Sequence, residues 1–280
     1  MHRFQLSRPL AVAFLMALSA APATAIGGEC KPGALGTGRV IAVDPTEHGR
    51  IGTMQYTETL PLRDHEVVLT FDDGPLPPQT GKVLDILASE CVQATFFLVG
   101  RMASEYPALV RRTFKDGHTI ATHTQTHAPK IWKWPAANQE TDINDGIASI
   151  AKVLGEAQAV APFFRFPGLG KSAEVEAYLA SQGIMVWSAD FPADDWTRIS
   201  ARQVAARAIE RLERKGKGVL LLHDIHRVTV AALPVLLAEL KKRHYSVVHV
   251  VPAGPGQPKT DTDPLQWVLH TPAKPAVTPR

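Results

Sequence analysis

The strongest constraint on the fold is an alternation of short apolar segments with helical segments between Glu66 and Val251. Seven apolar segments bounded by turn residues are predicted to be strands: 67–71, 94–99, 119–122, 163–166, 184–187, 219–222 and 246–251. Apolar residues at helical spacing predict helices between them: 80–90, 104–116, 138–154, 173–182, 201–214 and 228–242. Repeated strand–helix–strand units imply parallel strands joined by right-handed crossovers.

Two α/β architectures fit this alternation: a closed or nearly closed barrel, and an open doubly wound sheet. The predicted strands are short and apolar, as expected when helices cover both faces of a sheet. No glycine-rich dinucleotide fingerprint follows the first strand, which disfavours an open nucleotide-binding sheet. We therefore predict a single α/β domain of parallel strands over residues 64–252.

The N-terminus is typical of a secretory signal peptide over residues 1–25. Arg3 and Arg8 precede an apolar run at 10–18, and small residues at 23–25 form a cleavage site. An uncleaved membrane anchor is the alternative, but the run is shorter than the ~20 apolar residues of a spanning helix. We expect an exported protein, periplasmic or secreted, with no stable membrane insertion after cleavage.

Two further segments flank the predicted domain. Residues 26–63 are rich in Gly, Thr and Pro, and we expect them to form an irregular N-terminal arm that packs on the domain. Residues 253–280 are Pro-rich and lack periodicity, and we expect a mostly disordered tail.

Composition limits the partners and the compartment. The 280 residues carry a net charge of only +3 and no block of Lys or Arg, so we expect no nucleic-acid partner. The two cysteines, Cys30 and Cys91, form a disulfide in an oxidising compartment if the fold brings them together. Two unpaired thiols are the alternative, because the sequence does not give their separation.

Polar side chains concentrate at the carboxyl ends of the predicted strands, where α/β proteins bind ligands. Five strands end in or near such a group: Asp72 and Asp73 in the run T-F-D-D-G-P, then His123, Arg165, Asp195 and His223. Asp-Gly-Pro is also good turn chemistry, so this run alone fits a simple turn before a helix. Charge scattered over a surface, however, would not select the ends of strands whose interiors are almost purely apolar. The pattern therefore predicts a functional site.

His123 and His127 lie four residues apart, just after the third predicted strand. If the segment turns helical, both imidazoles share one face, a spacing that suits two ligands of one metal ion. Asp73 is the candidate third ligand, leaving an open coordination position as in catalytic sites. Two histidines and one carboxylate fit zinc best, and iron, cobalt or nickel also fit. A structural alternative is that one histidine caps a helix and the other is solvated.

The sequence resembles the polysaccharide deacetylases, the carbohydrate esterases that share the nodulation deacetylase domain. The resemblance covers roughly Glu66 to Val251. It rests on five motifs in family order: T-F-D-D-G-P at 70–75, H-T-x-x-H at 123–127, F-R-x-P at 164–167, D-W at 195–196 and L-L-H-D at 221–224. Any one motif is weak, but all five in order are specific.

The resemblance implies a distorted (β/α)7 barrel and metal-dependent removal of acetyl groups from sugars. It assigns one divalent metal ion to Asp73, His123 and His127.

The same resemblance implies roles for the remaining residues of the motifs. Asp72 would be the general base, paired with and tuned by Arg165. His223 would be the general acid, with Asp195 as its charge partner. The substrate-binding residues would be Trp196 and Leu221, which line a pocket for the acetyl methyl group, and Gly168, whose backbone N–H faces the oxyanion.

The chain departs from the family pattern in two places. After Arg165 the family usually has two prolines and an aromatic residue, whereas here the run is Phe-Pro-Gly-Leu-Gly. The missing aromatic would line the sugar groove, so this departure bears on substrate preference rather than on the reaction. The spacing between the two aspartates of the family's fourth motif is also lengthened here, where Asp190 is the first of them. Asp195 is the better match to the second aspartate, and Asp194 is the alternative.

The leading hypothesis is a deacetylase of N-acetylglucosamine-containing glycans such as peptidoglycan, chitooligosaccharide or an exported polysaccharide. An O-deacetylase of acetylated xylan-type glycan is an alternative, since such a site attacks esters too. A glycan-binding protein that has lost catalysis is a second alternative, disfavoured by the complete set of motif residues. The expected partner is a glycan substrate, and we expect a monomer.

Overall fold

We describe a computed structural model, which covers residues 30–269. This part of the chain contains ten strands: β1 Thr37–Val43, β2 Arg50–Ile51, β3 Glu66–Asp72, β4 Thr95–Leu98, β5 Thr119–Thr122, β6 Phe163–Phe164, β7 Met185–Trp187, β8 Phe191–Pro192, β9 Gly218–His223 and β10 Ser246–Pro252. It also contains seven α-helices: α1 Gln79–Ser89, α2 Gly100–Glu105, α3 Pro107–Lys115, α4 Ala136–Leu154, α5 Ala173–Ser181, α6 Ala201–Lys215 and α7 Arg227–Lys242. The predicted signal peptide lies outside the described residues.

All ladders between the named strands are parallel, as the alternation predicted. β3 is the centre of the sheet and is buried along its whole length. It pairs with β9 on one side, and with β10 and β4 on the other. The ladder continues from β4 through β5, β6 and β7 to β2, and β8 joins the outer side of β9.

The expected distorted β/α barrel of parallel strands is confirmed, and one detail is added. Among residues 30–269, β7 and β8 share no ladder, so the barrel is not closed between them.

Alternate residues of β3 face opposite sides of the sheet, as in any strand. Val67, Leu69 and Phe71 pack in the larger core, against the covering helices. Val68 belongs to a second core inside the barrel, which includes Trp187. Asp72 has the same parity as Val68 and therefore faces the barrel interior, at the carboxyl end of the strand.

The N-terminal arm packs on the domain, but its described part is not irregular throughout, because it contains two strands. β1 runs parallel to β10 over nearly its full length, and β2 pairs with β7. The buried end of β1, Ile41–Val43, fills the inner core. This pairing joins residues about two hundred positions apart, so no local pattern in the sequence marks it.

The tail is also more ordered than predicted, as far as the structure describes it. The Thr260 amide donates to the Ala42 carbonyl and its hydroxyl accepts from the Ala42 amide. A short 3-10 helix, Pro264–Trp267, buries Trp267, whose ring stacks on His48 at 3.4 Å between centroids. Pro-rich composition predicted disorder, but the buried Trp267 and the hydrogen bonds of Thr260 hold this segment on the domain.

Two smaller expectations can be compared with the structure. Cys30 and Cys91 form a disulfide, which fixes the first described residue to the turn after α1. The predicted helix over 104–116 is two helices, and Pro107 begins the second at a position where its missing N–H costs nothing. No helix within residues 30–269 is both long and apolar enough to cross a membrane.

Candidate active site

The register of the sheet brings the predicted polar residues to one edge. Asp72 at the end of β3 lies opposite His223 at the end of β9. On the other side of β3, the end of β4 pairs with Thr122, the last residue of β5. Thr122 in turn pairs with Phe164, which directly precedes Arg165. Parallel strands in register therefore place acid, base and ligand candidates at a single rim.

Asp72 and Arg165 form a buried ion pair. The Arg165 Nη1 donates to Asp72 Oδ1 at 2.6 Å and to the Thr70 hydroxyl at 2.9 Å. Its Nη2 donates to the Ser188 carbonyl at 2.9 Å, and the guanidinium lies over the Phe97 ring. Arg165 is fully buried, so these contacts hold it rigidly. The pair satisfies two charges that would each be costly alone in the interior.

Asp73, His123 and His127 form a cluster whose ligand atoms all lie within 4.8 Å of one another. Asp73 Oδ1 is 3.0 Å from His127 Nε2 and 3.4 Å from His123 Nε2. The Nδ1 of His123 is 2.7 Å from the Arg165 carbonyl oxygen. A carbonyl can only accept, so Nδ1 carries the proton and Nε2 presents its lone pair to the cluster.

The two histidines do not lie on a helical turn, the condition under which their spacing alone would place both imidazoles on one face. Residues 123–127 form a loop in which Thr124 and His127 have φ values of 69° and 50°, both in the left-handed region. The Asp142 carboxylate from α4 accepts the Gln125 amide at 3.1 Å and thereby supports the loop. Gly146, one turn later, lets α4 approach closely, since a Cβ there would lie 2.7 Å from the Thr124 carbonyl carbon. The imidazoles meet through loop geometry and not through a shared helical face.

The residues of this cluster fit a divalent metal ion. Asp73 Oδ1 is buried and makes no hydrogen bond within the described part of the chain, although two imidazole nitrogens face it. Burial alone would raise the pKa of Asp73, but the two histidines outweigh burial and lower it. An ionised carboxylate and two lone pairs that converge on one point require a proton or a cation between them. Two histidines and one carboxylate are a common donor set for zinc and related metals.

His223 is held by Asp195. The His223 Nδ1 lies 2.8 Å from Asp195 Oδ1, and Asp195 Oδ2 accepts from the His223 amide and the Thr229 hydroxyl. Burial acts to lower the pKa of His223, but the buried Asp195 carboxylate outweighs it and, with Asp72 and Asp73, raises that pKa to about 9. The ring is therefore protonated at neutral pH.

The alternative partner, Asp194, points elsewhere. Its carboxylate accepts from Arg211 at 2.7 and 2.8 Å and from Arg207 at 2.8 Å, both on α6. Of the two adjacent aspartates, the structure thus places only Asp195 against His223.

These groups open into one cavity of about 490 Å³. Gly168, Trp196 and Leu221, the three predicted substrate-binding residues, line it together with the cluster, Asp72 and His223. Three further lining residues were not predicted from the sequence: Met54, Leu169 and Pro192. Leu169 and Pro192 adjoin recognised motifs, but no local signal marks Met54, which lies before the first predicted strand.

Comparison with known proteins agrees with this geometry. The family model described as polysaccharide deacetylase matches residues 60–187. A peptidoglycan-N-acetylglucosamine deacetylase of Bacillus cereus is 32% identical over 201 residues, which are 69% of this chain and 90% of that protein. The chain belongs to the polysaccharide deacetylase family. The expected enzyme class, a hydrolase, is confirmed at this level.

Some relatives extend well beyond the region that matches this chain. A second Bacillus cereus protein with the same name is 32% identical, and the match covers 63% of this chain and 66% of that one. Among solved structures, the Bdellovibrio bacteriovorus peptidoglycan deacetylase superposes with a TM-score of 0.70 at 29% identity. That match covers 80% of this chain and 62% of the other.

Proposed function

We propose that this protein is an exported, metal-dependent hydrolase that removes acetyl groups from glycans containing N-acetylglucosamine. Peptidoglycan, chitooligosaccharide and an exported polysaccharide are the substrates that this proposal covers. One observation carries it: a cross-strand pair, Asp72 and His223, lines the same cavity as the cluster of Asp73, His123 and His127. A base, an acid and a metal site in one cavity are what amide hydrolysis requires.

The chain's own groups divide the proton transfers between them. Asp72 accepts the proton of the attacking water, and Arg165 fixes the orientation of its carboxylate through a 2.6 Å hydrogen bond. His223 carries a proton at neutral pH and donates it from Nε2 to the leaving nitrogen, because Nδ1 is bound to Asp195. Asp73, His123 and His127 would hold a divalent ion, which would supply Lewis acidity toward the water and the scissile carbonyl.

The remaining lining residues support binding of the acetyl group. Trp196 and Leu221 offer apolar surface to its methyl group, and the Trp196 ring meets the His223 ring edge to face, 5.4 Å between centroids. The Gly168 backbone has a φ of 60°, which L-residues rarely adopt, and its N–H is our candidate donor to the developing oxyanion.

Export is supported by the signal-peptide pattern and by the disulfide between Cys30 and Cys91, since disulfides persist in oxidising compartments. Two relatives are named peptidoglycan-N-acetylglucosamine deacetylases, and this name gives peptidoglycan, a cell-wall polymer, as their substrate. We place the protein in the periplasm or outside the cell.

The proposed base is tested by Asp72→Asn, which keeps the shape of the side chain but cannot accept the proton. We expect acetate release from N-acetylglucosamine oligomers or peptidoglycan to fall at least about 100-fold, the usual contribution of a general base. The control is Asp145→Asn, which removes an exposed carboxylate from α4 outside the cavity and should leave turnover unchanged. A folded Asp72→Asn protein with full turnover would remove Asp72 from the role of base.

A further inference from the structure

One wall of the cavity comes from a loop that the family match does not cover. The match begins at residue 60, whereas Met54 lies in the segment 52–58, which we call the rim loop. Met54 lines the cavity together with the motif residues. The five sequence motifs therefore do not imply the contribution of this loop.

The rim loop is fixed in place from inside. It is closed by a 2.7 Å hydrogen bond from the Gly52 amide to the Glu58 carbonyl. The buried Asp190 carboxylate accepts from the Thr53 amide at 2.9 Å and from its hydroxyl at 2.8 Å. Gly52 permits this approach, because its φ is 104° and a Cβ there would lie 2.6 Å from the Ala189 amide nitrogen. A loop held by a buried carboxylate presents its next side chain in a defined position.

The same loop reaches the strand end that carries the oxyanion donor. The Gln55 side-chain amide donates to the Leu169 carbonyl at 2.7 Å, one residue after Gly168. The Met54 amide donates to the Ala189 carbonyl at 2.9 Å. These hydrogen bonds fix the backbone around Met54, and Met54 is the residue of the rim loop that lines the cavity.

Met54 presents exposed apolar surface inside the cavity. The side chain is 44% exposed, and Trp196 in the same cavity is 50% exposed. Large apolar side chains exposed together in one cleft mark binding surfaces, and methionine adapts to irregular apolar shapes. A cavity of about 490 Å³ is larger than an acetyl group alone needs, so room remains for the sugar ring that carries it.

We propose that Met54 is a specificity-determining residue, which packs against the apolar face of a sugar ring of the glycan. The inference rests on the proposed deacetylase function and names a contact of that same site. It also accounts for the aromatic residue that is missing after Arg165: apolar surface for the sugar comes from the rim loop in its place.

The test compares a glycan with a small acetyl ester that has no sugar. Met54→Ala and Met54→Leu are assayed on N-acetylglucosamine oligomers and on 4-nitrophenyl acetate. We expect Met54→Ala to lower kcat/KM on the oligomers about tenfold, mainly through KM, since losing apolar contact in a pocket has effects of this size. The loss on the ester should be several-fold smaller, and Met54→Leu should restore most of the activity on the oligomers.

Val235→Ala is the matched control, because Val235 is 43% exposed on α7 and does not line this cavity. Equal losses on both substrates, or no loss on the oligomers, would overturn the role of Met54. Failure of the proposed function itself is read from the wild type, which would then release no acetate from any glycan. If the wild type is active but Met54→Ala loses equally on both substrates, or loses nothing on the oligomers, only the inference about Met54 is overturned.

Discussion

The proton on His223 is the residue-scale feature on which the proposed mechanism depends most. An imidazole buried alone would lose its proton, because burial disfavours the charged form. Asp195 reverses this: it is itself buried, accepts from the His223 ring, and has its second oxygen occupied by the Thr229 hydroxyl. The raised pKa of His223, about 9, means that the acid form persists through neutral pH and is lost as pH rises through that value.

This reasoning predicts the effect of Asp195→Asn on the pH dependence of turnover. Without the carboxylate the pKa of His223 falls, so the alkaline limb of the kcat profile should move down by about one pH unit or more. The matched control is Asp194→Asn, which alters the neighbouring carboxylate that binds Arg207 and Arg211 and should leave the limb in place. An unmoved limb in Asp195→Asn, with normal folding, would contradict the assignment of His223 as the acid.

At the same scale, the residues of the five motifs could be predicted from the sequence, whereas a cavity residue outside the motifs, Met54, could not. Asp72, Asp73 and His223 stand out in the sequence because each is polar at the end of an apolar strand. Met54 lies in a segment with no periodicity, and the sequence carries no sign that it reaches the cavity. Such contacts depend on tertiary approach, which a local pattern cannot encode.

At the scale of elements, seven strands were predictable because their segments are short and largely apolar, which separates them from the amphipathic helices. The short strands β2 and β8, and β1 in the N-terminal segment, were not predicted. The two histidines show the limit of spacing arguments. A separation of four residues suits a helix, yet the chain uses left-handed loop residues supported by Asp142 to reach the same result. Composition misled in the same way for residues 253–269, where the buried Trp267 and the hydrogen bonds of Thr260 hold the segment on the domain.

The packing of that segment leads to a prediction about stability. Trp267 is 5% exposed and stacks on His48, whereas Leu265 in the same short helix is 64% exposed. Trp267→Ala should lower the free energy of unfolding by about 3 kcal/mol, as measured by urea denaturation, because it removes a large buried ring. Leu265→Ala should change it by less than about 0.5 kcal/mol. An unchanged free energy of unfolding in Trp267→Ala would show that the tail does not contribute to the folded domain.

At the scale of the whole molecule, the segments on either side of the barrel complete it. β1 and β2 extend the sheet, the disulfide fixes the first described residue, and Lys217 joins both ends by donating to the Leu62 and Gln266 carbonyls. The rim loop between β2 and β3 then supplies one wall of the cavity. One wall of the cavity thus comes from a segment that precedes the predicted strands of the barrel.

The central claim is that Asp73, His123 and His127 hold a metal ion on which deacetylation depends. His127 is the best ligand to remove, because its side chain is 35% exposed and its loss disturbs little packing. The control is His226, which lies beside His223 but outside the cluster. Both His→Ala variants are freed of metal with a chelator and titrated with zinc or cobalt, while metal content and acetate release are followed together.

We predict that wild type and His226→Ala bind about one ion and regain acetate release, whereas His127→Ala binds the ion at least about tenfold more weakly and regains little. Full acetate release by metal-free wild type, or unchanged metal affinity in His127→Ala, would contradict the account.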